Sequence, residues 1–492
     1  MTDQLLLVLD AGTTSTRAIA FSGSGAIVAS AARPLTQHYP ASGWVEHDAG
    51  EIRTLSLAVL EEVAASVGVE RIAAIGITNQ RETVCFWDRS TGEPLCHAIV
   101  WQDRRTADQC AAMKAADPGL EARVQAKTGL LLDPYFSATK IRWALDNWPM
   151  VADAARDGRL AVGTVESWLI WHLSGGAAHI TDATNASRTL LMDLASCSWD
   201  DELIALFDVP KAALPAIVDC AGPLAETTLL GRRIPITGAA GDQQAAAIGQ
   251  GCLAPGMLKA TYGTGCFLLA HAGAAPPVSR NRLLATVAWR LDGAPAYALE
   301  GAIFVAGSAI QWLRDGLGII ASSAESETLA QSVPDNGGVS FVPALAGLGA
   351  PHWAPDARGV ICGLSGGSSR AHIVRAALEA QGQQTADLVD ALAADGVAAA
   401  MLRVDGGMVA NNWLCQDLAD SLGVVVERPR VIETTAMGAA MLAGVGAGLF
   451  ADLSAAAAAM AAADVRFHPA IDAAARAGRR RQWQAAIAKV LA

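Results

Sequence analysis

The chain has 492 residues, 52% hydrophobic and 17% charged, with a formal net charge of −12 at pH 7. That length exceeds one ordinary core and implies two large domains or three smaller ones, and the composition excludes a disordered chain. With its one run of three basic residues at Arg479–Arg481, the acidic chain is not expected to bind nucleic acid. A small anionic substrate stays open, since it needs only a local positive site.

The N-terminus lacks a basic leader region and its first apolar run is broken by Asp10, so no signal peptide is expected. The segment Leu5–Phe21 (LLLVLDAGTTSTRAIAF) reads as strand, small-residue turn, strand. The turn converges backbone N–H groups and hydroxyls, a set of donors able to hold a phosphate. Asp10 beside it suits a hydrated Mg²⁺, and Arg17 can add positive charge. An ordinary hairpin explains the segment as well.

A helix is expected over Glu51–Val67 and a strand over Ile72–Thr78. GITNQRET (76–83) then sets Arg81 beside Glu82. Such a pair is either a solvated ion pair or a donor–acceptor set for the hydroxyls of a polyol. Strands are expected over Val84–Trp87 and Ile99–Trp101. WQDRRT (101–106) places Trp101 nearby, as core or as an apolar wall for a polyol's hydrocarbon edge. DPYFS (133–137) puts Tyr135 in a turn, on the surface or reaching a ligand. A helix over Glu166–Leu173 and a strand over Ile234–Gly238 follow.

In GAAGDQQAAAIGQG (238–251) a strand ends in a small-residue turn and Asp242 opens a helix. The carboxylate there is a cap or a general base aimed into a cleft, with Gln243 beside it to orient a hydroxyl. A domain boundary is expected near 249–256 (GQGCLAPG), dividing the chain into 1–248 and 249–492. Just past it the opening design repeats: LKATYGTGCFLLA (258–270) is again strand, turn, strand, built from Met257–Tyr262 and Cys266–Ala270. Two halves that each open this way suggest duplicated domains across a cleft.

Strands over Val339–Pro343 and Met401–Asp405 and a helix over Ala371–Ala394 are expected next. DGGMVANN (405–412) forms a third glycine turn, a seat for purine and ribose or a capped strand-to-helix turn. The longest apolar stretch, Ala436–Ala451, falls short of the roughly 20 residues a membrane span needs. It reads as a closely packed buried helix over Thr434–Leu449, and no membrane insertion is expected. The Ala-rich run 452–465 is expected as a surface helix. Nine dispersed cysteines without CxxC pairs imply reduced thiols and a cytoplasmic location. The alternation throughout is that of an α/β chain with mixed sheets.

Eleven segments together, DAGTTSTR (10–17), GWVEHD (43–48), GITNQRET (76–83), WQDRRT (101–106), DPYFS (133–137), TDATNASRTLL (181–191), GDQQAA (241–246), TYGTGCF (261–267), ALEGAIFVAGSAIQWLRD (298–315), PALAGLGAPHW (343–353) and RVDGGMVANN (403–412), resemble the FGGY family of carbohydrate kinases in family order. NQRET with WQDRRT resembles its glycerol branch. The resemblance implies two duplicated ribonuclease H-like domains of the actin-type ATPase fold, with ATP and Mg²⁺ in the cleft. By match, Arg81, Glu82, Tyr135, Asp242 and Gln243 contact glycerol, while Trp101 and Phe267 wall it. Thr13, Thr14, Ser15, Arg17, Thr264, Gly307, Gln311, Gly407 and Asn411 match the nucleotide site. Asp10 matches the Mg²⁺-associated carboxylate, and Asp242 the catalytic base, also near the metal. A homo-oligomer, dimer or tetramer, is expected. A kinase for another polyol or ketose and a non-catalytic ATP sensor on the same scaffold are the competing readings.

The chain departs from the family pattern at Glu166, at ALEAQGQQT (377–385), at CGLSGGSS (362–369) and at PAIDAAARAG (469–478), where a regulator docks on enteric members. The loop that binds fructose bisphosphate in some bacterial members reads TTLLGRRIPI (227–236), without the consecutive glycines that let a backbone wrap a phosphate. Arg232 and Arg233 allow weak residual binding, and millimolar fructose bisphosphate is expected to leave the activity largely unchanged. Initial rates at fixed free Mg²⁺ test this, and a saturable inhibition abolished by Arg232→Ala would make the loop a regulatory site.

Overall fold

The computed structural model describes residues 4–492, with no side-chain description for Ala463 and Asp464. The strand Leu5–Ala11 is buried along its whole length, as a central strand covered on both faces must be. It pairs antiparallel with Ser15–Ser22, Asp10 opposite Arg17. It pairs parallel with Ile72–Asn79, Asp10 opposite Thr78. The full sheet runs Ala221–Thr227, Ile234–Gly241, Ile72–Asn79, Leu5–Ala11, Ser15–Ser22, Ile27–Pro34. The helix Ala49–Val67 covers it. Its inner face carries Ile52, Val59, Leu60 and Val63, its start is capped by Asp48 accepting from Gly50 and Glu51, and Gly68 ends it at φ +85°.

A second sheet repeats the plan. Met257–Tyr262 pairs antiparallel with Cys266–Gly273, Thr261 opposite Phe267, and parallel with Met401–Asp405, Thr261 opposite Asp405. Its order is Leu284–Leu291, Ala294–Ile303, Cys266–Gly273, Met257–Tyr262, Met401–Asp405, Val425–Pro429, Ala463–Phe467. Each half thus opens on a hairpin whose first strand sits beside a later parallel strand, so each hairpin turn lies beside the C-terminal end of that strand, at Asn79 and at Asp405. A four-stranded sheet, Glu46–His47, Ala98–Ile99, Val84–Asp88 and Leu160–Thr164, extends the first half.

The halves meet through two helices. Asp242–Gly249 follows the last inner strand of the first sheet, and Thr434–Gly446 follows the second sheet. A Cβ on Gly438 would lie 1.8 Å from the Ala245 carbonyl oxygen, and one on Gly249 would lie 1.9 Å from that of Thr434. The same helix lies on the first sheet, where a Cβ on Gly76 would meet the Ala439 oxygen at 2.3 Å. The Ala- and Gly-rich run is therefore a backbone-to-backbone contact.

Three expected elements differ. The strand ends at Ile99, and Trp101 lies in a turn closed by Asp103 N–H donating to the Val100 oxygen at 3.0 Å. The Thr434 helix stops at Gly446, short of Leu449. The Ala-rich run is not a surface helix throughout. It forms Leu453–Met460, whose Leu453, Ala456 and Met460 recur on one buried face, and then enters the edge strand Ala463–Phe467. Among the described residues no helix is long and apolar enough to cross a membrane.

The buried glutamines of the departing segment 377–385 are satisfied inside the chain. Gln384 donates to the Val305 oxygen at 3.4 Å and Gln381 to that of Ala377 at 3.2 Å. Gly382 lets the helix Arg370–Ala394 approach Asp417 and Ser421, which a Cβ would meet at 2.6 Å.

Because no flexible side-chain tip can yield at Gly438, Gly438→Ala should cost about 3 kcal/mol through overpacking. Gly366→Ala, with open space around it, should leave stability unchanged or slightly raised. Urea denaturation of both variants tests this; a loss below 1 kcal/mol at Gly438 would refute the tight contact.

Candidate active site

Asp10, at the end of its strand, is buried and takes the Arg17 guanidinium on its Oδ2. Arg17 Nη1 continues to Glu433 Oε2 at 2.6 Å. Glu433 is the N-cap of the helix Thr434–Gly446. Arg17 therefore ties the first hairpin to the helix that joins the halves. Burial pushes the Asp10 carboxyl above its ordinary value, against the pull of Arg17. The turn itself is closed by Gly12 N–H donating to the Ser15 oxygen at 3.0 Å, and Thr14 accepts from Leu35 N–H at 2.9 Å. Thr13 Oγ1 accepts from Trp101 Nε1 at 2.9 Å.

Arg81 and Glu82 follow the strand Ile72–Asn79 and are buried, so they are not a solvated pair. Glu82 adopts φ +62°, a left-handed conformation that costs a non-glycine residue on the order of 1 kcal/mol and that clusters at functional sites. Arg81 donates from Nη1 to Glu300 Oε2 at 2.6 Å, and its Nε lies 3.3 Å from Asp242 Oδ1. Arg188 donates from Nε to Glu82 Oε1 at 2.6 Å and from Nη2 to Glu300 Oε1 at 2.9 Å. Two arginines and two glutamates thus form a closed buried cage with Asp242 at its mouth. Glu300 comes from the second sheet, so the cage spans both halves. Its two arginines hold its carboxyl down to about 2.

Asp242 opens its helix with a side chain 31% exposed. Desolvation raises its carboxyl above the ordinary value, opposed by Arg81 and Lys259 and assisted by Asp10. Gln243 beside it accepts from Lys259 Nζ, also of the second sheet, at 2.6 Å. Aromatic rings wall the space. Trp101 meets Tyr135 edge to face at 5.7 Å and Phe267, from the second hairpin, at 6.4 Å. Burial keeps the Tyr135 hydroxyl protonated, a donor.

A separate cavity of 520 Å³ opens on the second half, lined by Thr264, Gly307, Gln311, Gly407 and Asn411. The Thr264 oxygen accepts from Ala306 N–H at 2.9 Å and Ser308 N–H at 3.1 Å, which fixes the turn to the start of the helix Gly307–Asp315. A Cβ on Gly406 would meet the Tyr262 oxygen at 2.4 Å, so the third turn presses on the second hairpin. Asn411 caps the helix Asn412–Leu422, its Oδ1 accepting from Leu414 N–H at 2.9 Å. Thr13, Thr14, Ser15 and Arg17 lie on the first hairpin and not in this cavity's lining.

Arg188, Glu300, Lys259 and Gln244, which accepts from Arg81 Nη1 at 3.3 Å, did not emerge from the sequence. For the three charged residues the signal was a single charge inside a run of small or apolar residues, as in ALEGAI, since such charges are buried only when paired; Gln244 carried no such signal.

Two repeated lobes with facing hairpin turns and a cavity beside them define the actin-type ATPase fold. The sequence pattern of the N-terminal domain of the FGGY family of carbohydrate kinases matches residues 5–249, and that of the C-terminal domain matches 258–447. The chain belongs to this family. A glycerol kinase of Rhodospirillum rubrum is 58% identical over 91% of this chain and 91% of its own length. One of Rhodospirillum centenum is 54% identical over 98% and 97%. The solved structure of Plasmodium falciparum glycerol kinase with ADP has a TM-score of 0.95 at 36% identity, covering 99% of this chain and 98% of its own.

Removing one member of a buried ion cage leaves an uncompensated charge, so Glu300→Gln should cost about 3–5 kcal/mol at pH 7. Because the folded carboxyl is held below its unfolded value, this stabilisation is present above about pH 4.5 and is lost as pH falls toward about 2. The gap between parent and variant, read by urea denaturation, should therefore narrow over that range. A constant gap from pH 5 to pH 3 would mean that Glu300 is not the ionised partner.

Proposed function

We infer that this chain transfers the γ-phosphoryl group of ATP to a terminal hydroxyl of glycerol. One observation carries the reading. Asp242 lies 3.3 Å from Arg81 at the mouth of the polar cage, and the aromatic wall beside it, Trp101 with Tyr135 and Phe267, touches the first turn at Thr13 and the second hairpin at Phe267. A three-carbon polyol suits such a pocket, because its hydroxyls need donors and acceptors while its carbon edge needs apolar walls. The kinship with glycerol kinases at over half identity supports the same substrate.

In this reading Arg81 donates to the substrate's hydroxyls and Glu82 accepts from them. Tyr135 adds a donor and Gln243 orients the reacting end. Asp242 takes the proton of the attacking hydroxyl. Burial raises its basicity above that of a free aspartate, against the pull of Arg81 and Lys259, which makes it a better proton acceptor. The cavity around Thr264, Gly307, Gln311, Gly407 and Asn411 seats the nucleotide, and the turn Thr13–Ser15 receives the phosphates from the opposite side. The donor set fits Mg²⁺. Asp10 and Asp242 are hard oxygen ligands whose mutual repulsion a cation offsets. Asp10 would hold the ion, with Asp242 near it, and the ion would supply positive charge to the phosphates. We assign residues 1–248 and 249–492 as the two domains, with closure between them excluding water. Phosphoryl transfer needs chiefly positioning and charge stabilisation, and both are supplied by rigid strand ends.

An ADP-release assay across a panel of polyols and ketoses tests the reading. Glycerol should exceed 1,3-propanediol by a wide margin, because a pocket built to pair the middle hydroxyl rejects its absence. A preference for xylulose over glycerol would overturn the substrate. Asp242→Asn should lower kcat by ~10²–10⁴. The parent's acid limb in kcat should lie above the ordinary aspartate value of about 3.9, since protonating Asp242 removes the base. Parent-like turnover in the variant would refute its role.

A further inference from the structure

Gln80 lies between the polar cage and the first hairpin, and no role above uses it. It extends the parallel pairing by donating its backbone N–H to the Ala11 oxygen at 2.9 Å. Its side chain is 1% exposed and fully engaged. Nε2 donates to the Gly12 oxygen at 3.1 Å and faces His47 Nδ1 at 3.2 Å. Burial lowers the basicity of His47 to about 4, so at neutral pH its ring is uncharged and Nδ1 can accept. Gln80 Oε1 accepts from Thr83 Oγ1 at 2.9 Å. Thr83 Oγ1 in turn accepts from Trp101 N–H at 3.1 Å. The indole Nε1 of Trp101 donates to Thr13 Oγ1 at 2.9 Å. Gly12 and Thr13 are neighbours, so the chain of bonds closes into a ring: turn, Gln80, Thr83, Trp101, turn.

We propose that Gln80 is a positioning residue that fixes the distance between the phosphate turn at Gly12–Thr13 and Trp101, the wall of the acceptor pocket. This rests on the reading of the site as a glycerol phosphotransferase. One end of the ring holds the group to be transferred and the other the molecule that receives it. A misplacement of about 1 Å costs such a reaction about 10²-fold. Only an amide satisfies the position. A carboxylate would set an oxygen against the Gly12 carbonyl, and an apolar chain would leave the Gly12 oxygen without the Gln80 donor and the Thr83 hydroxyl proton without the Gln80 acceptor in a buried site.

The test compares the full-length parent, Gln80→Leu and Thr83→Val in two assays on the same preparation: glycerol phosphate formed, and ATP hydrolysed without glycerol. Transfer to water does not depend on the acceptor wall. The expected result is a 10- to 100-fold fall in kcat for glycerol with a glycerol KM within threefold of the parent, since Arg81, Glu82 and Asp242 are untouched. The ratio of glycerol phosphorylation to hydrolysis should fall at least tenfold. Thr83→Val should move it in the same direction by less. The double variant should be no worse than Gln80→Leu alone, because both cut one chain of bonds. A merely structural role would lower both activities together, and an unchanged ratio overturns the proposal. If Gln80→Leu does not fold, Thr83→Val alone decides by the same ratio. A parent that forms no glycerol phosphate overturns the functional reading instead.

Discussion

The contact between the helices Asp242–Gly249 and Thr434–Gly446 is the constraint on which the rest depends. At Gly249 and Gly438 no side-chain atom separates the two backbones, so main-chain atoms set their separation there, with Ala245, Ile248, Met437 and Met441 packed in the same core. Each helix also starts at a carboxylate. The first begins with Asp242, and the second is capped by Glu433, which grips Arg17 and through it Asp10. The placement of the two carboxylates relative to each other is therefore inherited from the closest approach in the molecule.

The second organising element is electrostatic. Arg81, Glu82, Arg188 and Glu300 are removed from water, where isolated charges would be very costly. They are tolerated because each guanidinium meets at least two carboxylates in a fixed geometry. The cage is then stiff for the same reason that it is stable, since no member can turn without exposing another.

The sequence made the hairpins legible because their signal is local: an apolar run, a carboxylate, glycine and threonine, then a second run. Asp242 and the Arg81–Glu82 pair were legible for the same reason. Arg188 and Glu300 were not, because what makes them important is a partner 106 and 219 residues away in the bonds Arg188–Glu82 and Arg81–Glu300. Local patterning carries no such information. The run after Asp452 shows a related failure. Its composition said surface helix, but Leu453, Ala456 and Met460 sit on a face that another helix covers, and tertiary packing overrode composition. The expected close packing of Ala436–Ala451 was right in kind, yet the sequence could not say which backbone it would press against.

A joint made of glycine and alanine also has mechanical properties of its own. Helices that meet through long side chains interlock as ridges in grooves and must climb over one another to slide. Here the surfaces at Gly438, Gly249, Gly76 and Gly238 are nearly smooth. At those four positions the joint is as smooth as a bearing, while the cage through Glu300 holds the two lobes in one register.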